Sequence, residues 1–221
     1  MAKPIQIVAT KKLSGEQKQA LAKVNIEVVE ADFIQTQNKP FELKDLNENL
    51  IFTSQNAVHS VLSNPESEKL KSKNVFCVGL KTKILLSESG FNVVAYTGYA
   101  SDLAEIITLI YRNESFTFFS GNLRRETLPQ ALKEADVKFN EIQVYDTSLT
   151  PQKIKTAPDA ILFFSPSGVE SYLKENIIKK EKCFCIGETT ADALEKITKN
   201  IIIADQPTVE DVIEDVIEEY K

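Results

Sequence analysis

Short apolar runs alternate with segments of helical period along the whole chain. The apolar runs predict strands at Ile5–Ala9, Glu27–Phe33, Leu50–Thr53, Val75–Val78, Asn92–Tyr96, Phe116–Phe119, Glu141–Tyr145, Ala160–Phe164, Cys183–Ile186 and Ile201–Ile203. Their β-branched and aromatic residues come without strict alternation, the pattern of strands covered on both faces. Between them the helical period predicts helices near 14–23, 54–63, 80–88, 100–111, 127–135, 165–175, 188–197 and 208–220. In the last of these, Val209, Val212, Ile213, Val216, Ile217 and Tyr220 form one stripe, with acidic side chains around the rest as a solvated face. Strands and helices alternating at this spacing predict parallel α/β sheets.

The pattern repeats. Gln19-Ala20-Leu21 recurs as Gln130-Ala131-Leu132, and 130 − 19 = 111. At the same offset, Phe33-Ile34-Gln35-Thr36 faces Val144-Tyr145-Asp146-Thr147, and Ile51–Val58 faces Leu162–Val169. Further on, Phe76-Cys77-Val78-Gly79 faces Phe184-Cys185-Ile186-Gly187, and 187 − 79 = 108. Two copies of about 110 residues, each a normal domain size, therefore make up the chain. The text turns polar around Gln35–Phe41 and Asp146–Lys155, with Pro40 and Pro151 as breakers, so the chain can leave one lobe and return to it later.

Composition narrows the function classes. The chain has 221 residues, 43% hydrophobic and 26% charged, with a formal charge of −6. That balance argues for a globular protein and against nucleic acid or an anionic membrane as partner. No apolar run approaches a membrane span. Met1–Pro4 leads directly into an apolar run without a signal-peptide pattern, and a cytoplasmic location is expected. The single histidine, His59, falls on a helical stretch, so sites built on several imidazoles are ruled out within one chain. Cys77, Cys183 and Cys185 sit in strands without C-x-x-C spacing and read as small buried hydrophobes. There is no G-x-G-x-x-G after a strand, no Walker-type loop, and no acidic cluster at the strand ends for Mg²⁺. A metal- and nucleotide-free reaction fits these absences, and so does pure binding.

Candidate chemistry gathers where strands hand over to helices. Ser54 and Ser165 follow apolar strands as N-caps, and Gly79 and Gly187 follow the next strands. Gly187 is succeeded by Glu188-Thr189-Thr190, Ser120-Gly121-Asn122-Leu123-Arg124-Arg125 follows Phe116–Phe119, and Pro207-Thr208 opens the last helix. In parallel α/β sheets these junctions share one edge, where helix N-termini present N–H groups. Hydroxyls, N–H groups and a few arginines suit an anion bearing several carboxylates or phosphates. Each residue alone also fits an ordinary cap or turn.

The segment Ser120–Leu132, with Val144-Tyr145-Asp146-Thr147 after it, closely resembles the uroporphyrinogen-III synthase family. So do Phe163–Val169 (with Ser165, Pro166, Ser167 and Gly168), Ile186–Leu194, and Pro207-Thr208, while Phe52–Val58 (with Thr53 and Ser54) is similar to the family's first signature. The blocks occur in the family's order and span nearly the whole chain. The resemblance implies an α/β fold of two similar lobes, each a parallel sheet of about five strands with flanking helices. It places a two-stranded linker and a cleft between the lobes, 1–35 plus 148–221 forming the first and 36–147 the second. It implies cyclisation of linear hydroxymethylbilane to uroporphyrinogen III, with loss of water and inversion of the last pyrrole ring. No cofactor is implied, and a monomer is expected. Tyr145 stands where the family has a tyrosine facing the cleft, as a mild general acid or as a hinge-packing aromatic. Thr53, Ser54, Ser120, Gly121, Asn122, Arg124, Arg125, Ser165, Pro166, Ser167, Gly168, Thr189, Thr190, Pro207 and Thr208 would hold the substrate's carboxylates. A silent module of the same fold, or an unrelated two-lobed protein binding an anionic metabolite, is the competing reading.

Overall fold

The computed structural model describes residues 3–221, so Met1 and Ala2, the first half of the Met1–Pro4 segment read above, lie outside the described residues. In chain order it forms β1 (Ile5–Ala9), α1 (Gly15–Ala22), β2 (Ile26–Glu30), β3 (Ile34–Asn38), β4 (Asn49–Phe52), α2 (Gln55–Leu62), a 3₁₀ turn at Ser67–Leu70, β5 (Asn74–Val78), α3 (Leu80–Glu88), β6 (Asn92–Thr97), α4 (Ala100–Ile110), β7 (Ser115–Gly121), α5 (Thr127–Glu134), β8 (Lys138–Leu149), β9 (Ala160–Phe163), α6 (Pro166–Glu175), β10 (Lys182–Cys185), α7 (Glu188–Asp192), β11 (Ile201–Ile203) and α8 (Val209–Tyr220). The chain divides into two compact units. One takes the residues up to Gln35 together with Ser148–Lys221, the other Thr36–Thr147.

The first unit holds a five-stranded sheet in the order β11-β10-β9-β1-β2, with parallel pairing throughout. Successive side chains on a strand point to opposite faces, and here both faces are covered. Ile7, Ala9, Leu162 and Phe184 pack against Leu21 of α1 and Val212, Ile213 and Val216 of α8. Val8, Ile161, Phe163, Cys183 and Cys185 pack on the other face against Val169 and Tyr172 of α6 and Ala191 of α7. The stripe read in α8 is therefore its buried face.

The second unit holds a six-stranded sheet in the order β3-β8-β7-β4-β5-β6, with β8, β7, β4, β5 and β6 paired in parallel. Leu50, Phe52, Val75, Cys77 and Phe119 face α2 and α3. Ile51, Phe76, Phe116 and Phe118 face α4 and α5 through Leu103, Ile107, Leu128 and Leu132. All three cysteines are buried free thiols, and burial pushes their pKa values up to about 11 for Cys77 and about 12 for Cys183 and Cys185.

The repeat is visible in space as an exchange. β4 and β9 begin at Asn49 and Ala160, and α2 and α6 at Gln55 and Pro166, so 160 − 49 = 166 − 55 = 111; α3 and α7 begin at Leu80 and Glu188, and 188 − 80 = 108. Matching elements in this way carries the order β6-β5-β4-β7-β8 onto β11-β10-β9-β1-β2. Each unit thus takes its β-α-β segment from one copy and its remaining strands and helices from the other.

Strands fill the polar crossings, as the two-stranded linker of the resemblance implies: β3 runs through Ile34–Asn38 and β8 continues to Leu149 beside it. Only the bounds read from the apolar runs, which stopped at Phe33 and Tyr145, are corrected there. Residues 35–38 are exposed, so no apolar alternation marks them. The helix expected at 188–197 ends at Asp192. Beyond it the bonds tighten to three-residue spacing, Leu194 N–H to Ala191 O and Ile197 N–H to Leu194 O, both 2.8 Å.

Phe119 is fully buried, stacked on Phe52 at 5.1 Å and edge-on to Phe41 at 6.3 Å. Phe119→Ala is expected to cost ~3–5 kcal/mol, read as a lower urea midpoint at unchanged slope.

Candidate functional site

Because the strands that lead into helices pair in parallel within each sheet, every helix that follows a strand starts at the same sheet edge. In the first unit Ser165 caps α6, its Oγ accepting from Gly168 N–H at 3.0 Å and lying 3.1 Å from Ser167 Oγ. Pro166 opens the helix, and its missing N–H costs nothing there. Gly168 is buried, and a Cβ on it would lie 3.2 Å from Ser165 Oγ and 3.6 Å from Thr10 Oγ1. Thr10, which follows β1, in turn donates to Leu162 O at 2.8 Å. The first turn of α6 holds no acidic residue, so its N-terminal partial charge stays positive.

The other two expected sites in this unit differ from that one. Thr190 is only 1% exposed, whereas Thr189 is half-buried, so Thr189 is the hydroxyl of the pair within reach of a solute. Thr208 caps α8, accepting from Asp211 N–H at 3.1 Å and bonding the Asp211 carboxylate. With Glu210 and Asp211 in its first turn, the α8 N-terminus is already neutralised, and exposed Pro207 leads into it.

In the second unit Ser54 caps α2, accepting from Asn56 N–H at 3.1 Å, with half-buried Thr53 before it and no acid in the first turn. Ser120, Gly121, Asn122, Arg124, Glu126, Glu141 and Gln143 line an open depression at the end of β7. Arg124 does not offer its charge outward. Its Nε and Nη2 grip both oxygens of Glu141 at 2.6 and 2.9 Å, and Nη1 bonds Glu126. Buried Ser120 donates to Glu141 Oε1 at 2.5 Å. The hydrogen bonds to Glu141 push the Arg124 pKa further up against the opposing effect of burial. Burial alone would raise Glu141, but the hydrogen bonds from Arg124 and Ser120 and the Arg124 charge outweigh it and hold the carboxyl below its ordinary 4.5. Arg125, next along, is exposed.

Beyond Ser120 the pairing of β7 with β8 slips by one residue. Ser120 faces Gln143, yet Gly121 faces Tyr145, leaving Val144 as a bulge. The Val144 carbonyl accepts from Lys39 N–H at 2.9 Å and from Ser60 Oγ. Asn122 donates its N–H to Tyr145 O at 3.3 Å, and its side chain pairs both backbone groups of Thr147 at 3.1 and 2.7 Å. The bulge leaves the half-buried Tyr145 ring lying over Gly121.

The expected residues therefore divide. Ser54, Ser165, Ser167 and Thr189 lie at the C-terminal sheet edges, part-exposed. Ser120, Arg124, Asn122 and Thr208 hold internal partners, as the caps Ser54 and Ser165 also do, and Gly121 and Gly168 are packed from above. Glu141, Ser60 and Thr10 were not singled out from the sequence. A serine on the apolar stripe of α2 was the one available signal for Ser60. Among the described residues no three His, Cys, Asp or Glu side chains converge as a metal site, and no helix is long and apolar enough to cross a membrane.

Because the folded state holds the Glu141 proton less tightly than the unfolded state, its pairing stabilises fully above the unfolded pKa of about 4.5 and is lost as pH falls through the lower folded value. Glu141→Gln is therefore expected to flatten the loss of stability below pH ~4.5. Urea midpoints at neutral and acid pH check this, and parallel curves for the two proteins would contradict it.

A family model for uroporphyrinogen-III synthase HemD matches residues 16–214. Among solved structures, the chain is similar to uroporphyrinogen-III synthetase from Helicobacter pylori, at 21% identity over 97% of this chain and 99% of that one, with a TM-score of 0.72. It is also similar to a mutant uroporphyrinogen III synthase from Thermus thermophilus, at 15% identity over 98% of both chains and a TM-score of 0.70. For the wild-type Thermus protein in a second crystal form the values are 17%, 97% of both chains and 0.53. At these identities the structures show the shared fold, and the family match spans nearly the full length: the chain belongs to the uroporphyrinogen-III synthase family.

Proposed function

We propose that the chain cyclises hydroxymethylbilane to uroporphyrinogen III as a cofactor-independent hydro-lyase, acting as a cytoplasmic monomer. The observation that carries this reading is the family match across 16–214. Tyr145, held over Gly121, supplies a hydroxyl at a fixed place.

The reaction asks little of the protein in bond-breaking power. The electron-rich terminal pyrrole pushes out the hydroxyl of its own hydroxymethyl group. A proton from Tyr145 Oη lets that hydroxyl leave as water, giving an azafulvene-like cation. Attack by the substituted carbon of the last ring forms a spiro intermediate, which fragments and recloses with that ring inverted. The proton lost on final closure restores the tyrosine. What the chain must supply is orientation, so that the substituted carbon attacks.

The carboxylates are assigned to helix N-termini that carry no acid of their own. Ser165, Ser167 and the N–H groups of α6 serve in the first unit, and Thr53, Ser54 and the N–H groups of α2 in the second; Thr189 adds a hydroxyl from α7, whose first turn does carry Glu188. Arg125 adds positive charge at the Gly121 turn. Arg124, already paired with two carboxylates, keeps a structural part.

The direct test incubates the pure protein with enzymatically generated hydroxymethylbilane in excess chelator and separates isomers I and III after oxidation. Isomer III is expected at a rate proportional to enzyme. Isomer I alone at the spontaneous rate would leave only a non-catalytic anion-binding module. Tyr145→Phe is expected to lower kcat by roughly 10²-fold with little change in KM, and wild-type kcat would remove the acid role. Ser167→Ala should forfeit one charged hydrogen bond of ~1.5 kcal/mol, about tenfold in KM. Its unfolding midpoint should be unchanged, because the cap bond belongs to Ser165.

A further inference from the structure

Gly121 sits opposite Tyr145 at the step where β8 bulges. The left-handed glycines are Gly79 and Gly90, so backbone conformation does not demand glycine at 121. Space does. A Cβ there would fall 2.4 Å from Cζ, 2.5 Å from Cε2 and 2.8 Å from the hydroxyl oxygen of Tyr145. Those are the outermost atoms of the ring, the ones nearest the chemistry assigned to it. The backbone of the tyrosine is gripped on both sides. Before it, the Val144 carbonyl accepts from Lys39 N–H and from Ser60 Oγ, and Ser60 is buried on α2. After it, Asn122 pairs both backbone groups of Thr147. With its backbone fixed, the ring packs against the cluster that holds Leu50, Phe52 and Phe119, and its far end rests on bare Gly121.

We propose that Gly121 is a positioning residue for the reaction: its missing side chain is the seat that sets where the Tyr145 hydroxyl lies. Ser60 and Asn122 hold the strand that carries the ring. This rests on the reading of Tyr145 as the proton donor. Adding a methyl at 121 pushes the free end of the ring outward by roughly 1 Å, to restore an ordinary carbon–carbon separation of ~3.5 Å. The sheet keeps its pairing, because the obstructing atoms belong to the end of a side chain and can swing. A shift of that size at a reacting group costs about 10²-fold in rate.

The test is a cycle of wild type, Gly121→Ala, Tyr145→Ser and the double variant, read by kcat, KM and urea midpoint. Gly121→Ala is expected to lower kcat by roughly 10²-fold and to leave KM within about twofold. In the Tyr145→Ser background no ring remains to displace, so Gly121→Ala should change neither kcat nor midpoint. Wild-type kcat in Gly121→Ala overturns the proposal. So does a loss of the same factor on top of Tyr145→Ser, which marks a role independent of the ring. If Gly121→Ala fails to fold, the double variant decides: folding like Tyr145→Ser upholds the seat, and failing too overturns it. Tyr145→Phe with wild-type kcat defeats the proton-donor reading separately, while coupling of the 121 and 145 midpoints still judges the seat.

Discussion

The volume over Gly121 can hold one thing, and the structure fills it with the Tyr145 ring. That constraint reaches outward in both directions along the chain. The ring can lie there only because β8 bulges at Val144, and the bulge persists because its carbonyl has two donors, Lys39 N–H and Ser60 Oγ. Ser60 is in turn placed by α2, whose Ala57, Val58 and Val61 pack on Leu50, Phe52 and Phe119. A core of stacked phenylalanines therefore sets the position of one polar atom, through a single hydrogen bond and an absent side chain.

Electrostatics shape the rest of the edge. A chain of charge −6 gains no long-range steering toward a polycarboxylate, so contact must be local. The helix N-termini are unequal in this respect. Those of α2, α3, α5 and α6 carry no acid in the first turn, while α1, α4, α7 and α8 do. The Arg124–Glu141–Glu126 group shows the same economy: two carboxylates consume one guanidinium, and its effect is to tie the turn after β7 to β8.

Much of this was legible in the sequence. The buried strands and the helices announced themselves because parallel strands covered on both faces are apolar throughout, and the repeat offset survived in the positions of β4, β9, α2 and α6. Other features lay beyond that reading. β3 carries polar residues and lies exposed, so nothing apolar marks it. α7 stops early through a change of hydrogen-bond spacing that composition does not encode. Pairing between Arg124 and Glu141 depends on the register of β7 with β8, and the exclusion at Gly121 depends on a one-residue slip in it. Resemblance brought Tyr145 and Gly121 forward separately; geometry alone joins them.

The account holds that the fold selects which carbon attacks, while Tyr145 only eases departure of the hydroxyl. The isomer composition of the product formed by Tyr145→Phe separates these two tasks most directly, with wild type run beside it and the spontaneous product subtracted. The account predicts slow turnover that still yields isomer III. Enzyme-dependent formation of isomer I would contradict it, because selection of the attacking carbon would then reside in the tyrosine hydroxyl.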